Sequence, residues 1–170
     1  MELPVVDLQN DSGLSSIINE DSEKHSGENV RCVLFELNSE IYGINVKKIR
    51  EVLRVGTIRK VEGSPDKVLG IINVRGVIVT VVDTRKSYNI KTKETDDLSR
   101  IIIVELDGDI VGMMVDSVLE VRDIPEKQFE PISSTKGFSS RYIKAVAHFQ
   151  DKVIILIDVD SMFDANLLDE

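Results

Sequence analysis

Tryptophan is absent from the 170-residue sequence and cysteine occurs once, as Cys32. A single thiol excludes an intramolecular disulfide and leaves a cysteine zinc site without ligands, so a reducing cytoplasm suits the chain. Histidine is almost as scarce: neither His25 nor His148 has Asp, Glu or Cys at a metal-ligand or triad spacing, and both read as structural or incidental. Aromatic residues make up 5% of the chain, too few for the stacking platform of a single-strand nucleic-acid binder. No apolar run approaches the roughly 20 residues that span a bilayer, and the first residues are acidic instead of basic and then apolar. Neither secretion nor membrane insertion is expected.

What is present is β-branched. Val and Ile supply 42 residues, about a quarter of the chain, and such side chains favour the pleated surface of strands. The net charge of -9 is unevenly spread: residues 1–30 carry seven acids and one base, and residues 151–170 carry six acids and one base. Acidic ends repel nucleic acid and anionic lipid, and they leave a near-neutral middle for apolar contacts. Residues 1–29 mix Asp, Glu, Ser, Asn and Gly with two short apolar stretches, which predicts a largely disordered acidic arm; those stretches read as incidental or as a docking peptide.

Ordered structure is expected from Val30. Val33, Phe35 and Leu37 alternate as in a strand, Asn38-Ser39 makes a turn, and Ile41 to Ile44 returns. Asn45 then caps a predicted short helix on which Val46, Ile49 and Leu53 form an apolar stripe, with Lys47, Lys48, Arg50 and Arg54 on a basic face.

This unit recurs. Residues 36–52 align without gaps on residues 105–121, and seven of the seventeen pairs are identical, among them Gly43 with Gly112 and Glu51 with Glu120. A second pair of apolar runs follows each copy, Val68 to Asp83 and Ile143 to Asp158, at a spacing of 75 instead of 69. The second copy therefore holds an extra loop of about six residues, expected within Pro125 to Ser140. Two copies fall short of the three that a stacked array needs. About five short strands per copy suit a small barrel, and two barrels side by side is the expected architecture.

No catalytic constellation emerges. Ser133-Ser134-Thr135 and Ser139-Ser140 lack an adjacent base and oxyanion donor. Gly70 and Gly76 bracket a strand without the following helix of a phosphate loop, and Gly76 suits the tight turn between two strands. Arg75, at the tip of that hairpin amid Val and Ile, must either emerge at a module edge as a turn charge or find a carboxylate.

The run from Val68 to Asp83, with Glu40 to Glu51 upstream and Gly112 to Asp116 downstream, resembles the CheW family, the coupling proteins of bacterial chemotaxis. The likeness covers about residues 30–165, as one CheW-like domain of two intertwined subdomains over about 30–90 and 98–160, followed by an acidic tail at 166–170. Thr80 and Glu62 stand where relatives usually carry Pro, Thr84 stands where Leu is frequent, and the arm is longer than the family minimum. The resemblance implies a mainly β fold of two SH3-like five-stranded β-barrels with short helices. It also implies a non-catalytic, cofactor-free adaptor in the cytoplasm, recruited to membrane-associated receptor arrays.

Its implied partners are the regulatory domain of a CheA-type histidine kinase and the cytoplasmic tips of methyl-accepting chemoreceptors. Ile49, Glu51 and Gly70 match kinase-facing positions, and Arg75, Gly76, Arg100, Val118 and Val121 match receptor-facing ones. On that reading Arg75→Glu is expected to weaken receptor coupling with the fold intact. The same fold in a non-flagellar pathway such as twitching motility, or a small-barrel nucleic-acid module, are the alternatives; a receiver-fused form is not expected, since none follows Glu170.

Overall fold

The computed structural model describes residues 28–132 and 142–163. The expectations for the arm up to Gly27, for His25, for Ser133 to Thr135 with Ser139 and Ser140, and for the tail at 166–170 lie outside the described residues.

Eleven strands run in the order β1 (Asn29–Leu37), β2 (Glu40–Asn45), β3 (Ile49–Arg54), β4 (Val68–Val74), β5 (Val77–Asp83), β6 (Arg100–Leu106), β7 (Asp109–Val115), β8 (Ser117–Pro125), β9 (Phe129–Pro131), β10 (Ile143–Phe149) and β11 (Lys152–Ile157). One-turn helices, α1 (Thr84–Ser87) and α2 (Val159–Met162), follow β5 and β11. The duplication holds element by element: β4 starts 75 residues before β10, and α1 starts 75 before α2. The change in spacing falls between β8 and β10; there the short β9 pairs with β10 where copy one has the single bridge between Arg59 and Ile71.

Asn45 does cap a turn, its Oδ1 accepting from the Lys47 amide at 2.9 Å, but the predicted helix is one 3₁₀ turn, Val46–Lys48, followed by β3. The helical spacing of its apolar residues has another cause. Where β3 pairs with β6 the register slips between Ile49 and Glu51, so Ile49 and Val52, three apart, face the same core cluster. Leu53 faces a different cluster, inside the second sheet.

The strands form a six-stranded sheet, β8-β1-β2-β11-β10-β9, and a five-stranded sheet, β3-β6-β7-β5-β4. The protein is thus mainly β, in two barrel-like units. Each sequence copy divides between them. The first hairpin of copy one joins copy two through the parallel pair β2 and β11, and the first hairpin of copy two joins copy one through β5 and β7.

This exchange buries both faces of β1 and β6. Cys32 and Leu34 point into the six-stranded unit, while Val33, Phe35 and Leu37 enter a cluster shared by the two sheets. Sixty-nine residues on, Ile101 and Ile103 point into the five-stranded unit, and Ile102 and Val104 meet the shared cluster. Tyrosines seal its rim: the Tyr42 and Tyr88 rings meet at a tilt of 47°, and the Tyr88 hydroxyl donates to the Tyr142 carbonyl at 2.9 Å. Asp116, between β7 and β8, adds polar ties across the sheets by accepting from the Asn38 amide at 2.8 Å and from Arg85 at 2.5 Å.

Among the described residues, the four two-residue hairpins have positive φ at both turn residues: Asn38-Ser39, Arg75-Gly76, Asp107-Gly108 and Gln150-Asp151. That backbone matches the right-handed twist of the flanking strands. Gly43 and Gly112, the duplicated glycines, lie where the copies pair in parallel; a Cβ on Gly112 would sit 2.9 Å from Ile101 Cγ2 and 3.3 Å from Val81 Cγ2.

Gly112→Ala is therefore expected to cost about 1–3 kcal/mol of stability in urea unfolding, an overpacking cost. Gly56→Ala, whose Cβ meets nothing within 4 Å, should be neutral to within about 0.5 kcal/mol. Equal midpoints for the two variants would refute the crowding argument. A second expectation concerns Cys32, whose thiol burial pushes up from its ordinary value of 9.0 to about 12, aided by Asp123. Folding favours the neutral thiol, so this contribution is intact below about pH 9 and lost as pH rises towards about 12. Thiol reagent at pH 8 should label Cys32 only as fast as the native protein opens, and prompt labelling without denaturant would contradict its burial.

Candidate protein-interaction surface

β3 and β4 are the two edges of the five-stranded sheet. The seam between them is bridged by charge. Glu51 on β3 is 2% exposed, and its Oε2 accepts from Nη2 of Arg75 at the tip of the β4–β5 hairpin. Its Oε1 is buried with no hydrogen-bond partner among the described residues. The Arg75 side chain is 55% exposed, so the pair has a buried anionic end and a wet cationic one.

Arg75 holds φ at +49°, a conformation that favours Gly and Asn over a long side chain. Gly76 follows at +88°, its amide donating to Asn73 Oδ1 at 2.8 Å. Beyond the tip, Val77 and Ile78 are 50% and 61% exposed, large apolar side chains beside a cation. Sequence reasoning passed over these two because they belong to an unbroken apolar run; only their place at the tip exposes them.

The duplication is broken here. The counterpart of Glu51 is Glu120, which is exposed and pairs with Arg122 on its own strand at 2.7 Å. Seventy-five residues beyond Arg75 and Gly76 stand Gln150 and Asp151, and Lys152 matches Val77. One barrel-like unit thus presents an arginine and two exposed aliphatics on its hairpin, the other Gln, Asp and Lys with one exposed aliphatic, Val153.

The remaining predicted positions are spread out. Gly70 lies in β4 at φ +151°, where a Cβ would come within 2.3 Å of the Arg59 carbonyl oxygen; Arg59 and Ile71 exchange backbone hydrogen bonds beside it. Its requirement is structural, since only glycine lets the 58–59 segment cross so closely. Ile49 is half-buried in the shared cluster. Arg100 is buried, its Nη1 donating at 2.8 Å to the carbonyls of Asp97 and Ser99, so it braces that turn and offers no surface. Val118 and Val121, on β8 in the other sheet, pack at the edge of the shared cluster. The structure joins Glu51, Arg75 and Gly76 and leaves Arg100, Val118 and Val121 elsewhere.

The ion pair alters what Arg75→Glu should do. It would set a second carboxylate near buried Glu51, so a loss of stability is expected beside any loss of coupling. Arg75→Ala already strands the Glu51 charge; removing one partner of a buried pair costs about 3–5 kcal/mol, and solvent at the exposed Arg75 end reduces this to about 1–3 kcal/mol. Adding Glu51→Leu to Arg75→Ala should restore part of that loss in urea unfolding. Wild-type stability in Arg75→Ala would show that the pair contributes nothing.

Comparisons with known proteins agree with this architecture. The family model for the CheW-like domain matches residues 31–166. The chemotaxis protein CheW of Klebsiella aerogenes is 26% identical over 145 residues, covering 84% of this chain and 87% of its own length. That of Bacillus subtilis is 27% identical over 146 residues, covering 84% and 91%. The crystal structure of the scaffolding protein TtCheW from Thermoanaerobacter tengcongensis superposes with a TM-score of 0.76 at 34% identity, over 82% of this chain and 96% of that one. With a family match spanning both sheets, the chain belongs to the CheW-like domain family of chemotaxis scaffold proteins.

Proposed function

We propose that the protein is a non-catalytic adaptor that couples the cytoplasmic tips of chemoreceptors to a CheA-type histidine kinase. The observation that carries this reading is the β4–β5 hairpin: an arginine held in a left-handed conformation and anchored on a buried carboxylate, next to two exposed aliphatic residues. A rigid tip with apolar side chains and an arginine has the composition of a protein-binding hot spot.

In this proposal Ile49, Glu51 and Gly70 shape the kinase side and Arg75 and Gly76 the receptor side. The ion pair makes them one surface, through which either partner influences the other. Val118 and Val121 flank the junction of the two sheets, where a receptor helix would lay its apolar face. Arg100 contributes by holding the 96–99 turn. Among the described residues no helix is long and apolar enough to cross a membrane, so recruitment to receptor arrays would run through protein contacts.

Co-sedimentation with receptor-containing membranes, with and without the kinase, tests the adaptor reading; absence from the pellet in both conditions would overturn it. Ile78→Asp tests the hairpin. It should weaken receptor capture about tenfold or more, as truncating a hot-spot side chain does, while the urea midpoint stays put. Undiminished capture would remove the hairpin from the interface.

A further inference from the structure

The exchange of hairpins between sheets leaves the two halves of the chain dependent on each other. Four strand pairings among the described residues join copy one to copy two: β1 with β8, β2 with β11, β3 with β6, and β5 with β7. Without them copy one keeps two hairpins, β1–β2 and β4–β5, and the lone strand β3. An isolated hairpin is marginally stable in water, so each half needs the other in order to fold. None of the four pairings requires that both strands belong to one chain.

The covalent connection between the halves runs from α1 to the start of β6, and both of its ends are fastened. At the near end the Ile90 amide donates to the Arg85 carbonyl at 2.8 Å, Arg85 Nε donates to the Lys91 carbonyl at 2.7 Å, and Thr92 Oγ1 donates to Asp83 at 2.6 Å. At the far end the Leu98 amide donates to Asp96 Oδ1 at 2.9 Å, and Arg100 holds the carbonyls of Asp97 and Ser99. Lys93, Glu94 and Thr95 stand between these anchors and are exposed. The ion pair from Lys93 to Asp96 is wet at both ends, and such a pair restrains the backbone weakly. Rotation at these three residues therefore redirects a whole half and leaves its internal bonds in place.

We propose that Lys93 to Thr95 form a hinge through which two copies of this chain exchange halves, copy one of each chain completing both sheets with copy two of the other. The four pairings, the shared cluster and the ties of Asp116 to Asn38 and Arg85 recur in the exchanged dimer with the same residues, so the two forms differ only at the hinge. Concentration selects between them. Within one chain a short linker holds the halves at an effective concentration of about 1 mM, which makes the closed monomer the form present at micromolar concentration. The exchanged dimer gains as the protein concentration approaches that range or as the hinge is shortened. It carries two β4–β5 hairpin tips, each on a sheet completed by the other chain, and is thereby bivalent. The inference does not depend on the adaptor reading, since it concerns only contacts between copies of this chain.

The full chain lacking Lys93, Glu94 and Thr95 tests it. Three residues reach up to about 10 Å, a span the fastened ends cannot make up in the closed form, so this variant should sediment at micromolar concentration with the mass of a dimer and the circular dichroism of the parent. A second measurement uses the full chain with a specific protease site inserted between Glu94 and Thr95. Unfolded in urea and refolded at about 1 mM, it should give a dimer that persists on dilution, whereas refolding at micromolar concentration should give monomer. Cutting the hinge should then convert the dimer into monomer-sized particles, each holding one half from each chain; a dimer docked surface to surface would keep its doubled mass. The proposal is overturned if the shortened chain is a monomer with the parent spectrum, if refolding at the higher concentration gives monomer alone, or if the dimer survives cutting. Were the shortened chain not to fold, the refolding and cutting results would decide by themselves.

Discussion

Two strands, β1 and β6, carry apolar side chains on both faces, and the remaining elements are arranged to cover them. A single sheet with one wet side would leave Val33, Phe35 and Leu37, or Ile102 and Val104, in water. Fully burying one such side chain is worth about 1.5–3 kcal/mol. The solution is a shared cluster between the sheets, to which both copies contribute matching positions. Because each copy sends its first hairpin into the other's sheet, neither half holds a complete sheet of its own. The parallel pairs that bring this about place glycines at 43 and 112, where a Cβ would crowd aliphatic side chains at 3.3 Å and 2.9 Å.

The polar contacts follow from the same exchange. Asp116 sits where the chain leaves one sheet for the other, and Asn38 and Arg85 reach it from opposite sheets. The Glu51–Arg75 pair closes the seam that remains when five strands curl without an edge-to-edge ladder. A buried carboxylate with one unpartnered oxygen is a poor stabiliser compared with an aliphatic residue of the same size. In the other copy the matching Glu120 is exposed and pairs with Arg122, so the buried pair belongs to one half only.

Asymmetry between nearly identical halves is what lets such a module do more than fill space. The duplication supplies two similar hairpin tips. The chain then differentiates the tips: Arg, Gly, Val and Ile at one against Gln, Asp, Lys and Val at the other.

Much of the fold was legible in the chain because it is repeated. Alternation in β1, the turn pairs and the two spacings depend on local chemistry, and each was readable twice. The segment after Asn45 was misread as a helix because Val46, Ile49 and Leu53 recur at helical spacing, whereas in the strand Leu53 turns to a different cluster from the other two. The site was legible in part. Arg75 stood out as a cation among aliphatics, and a carboxylate partner was one of two outcomes anticipated for it. That the partner is Glu51, that Arg100 is inward, and that Val77 and Ile78 are outward could not be read, since a continuous apolar run does not say which members lie at a tip. By itself, then, the sequence determined the strand content, the duplication and the scarcity of catalytic groups. Only the tertiary structure decided which strands exchange between sheets and which charge is buried, because both depend on contacts between residues far apart in the chain.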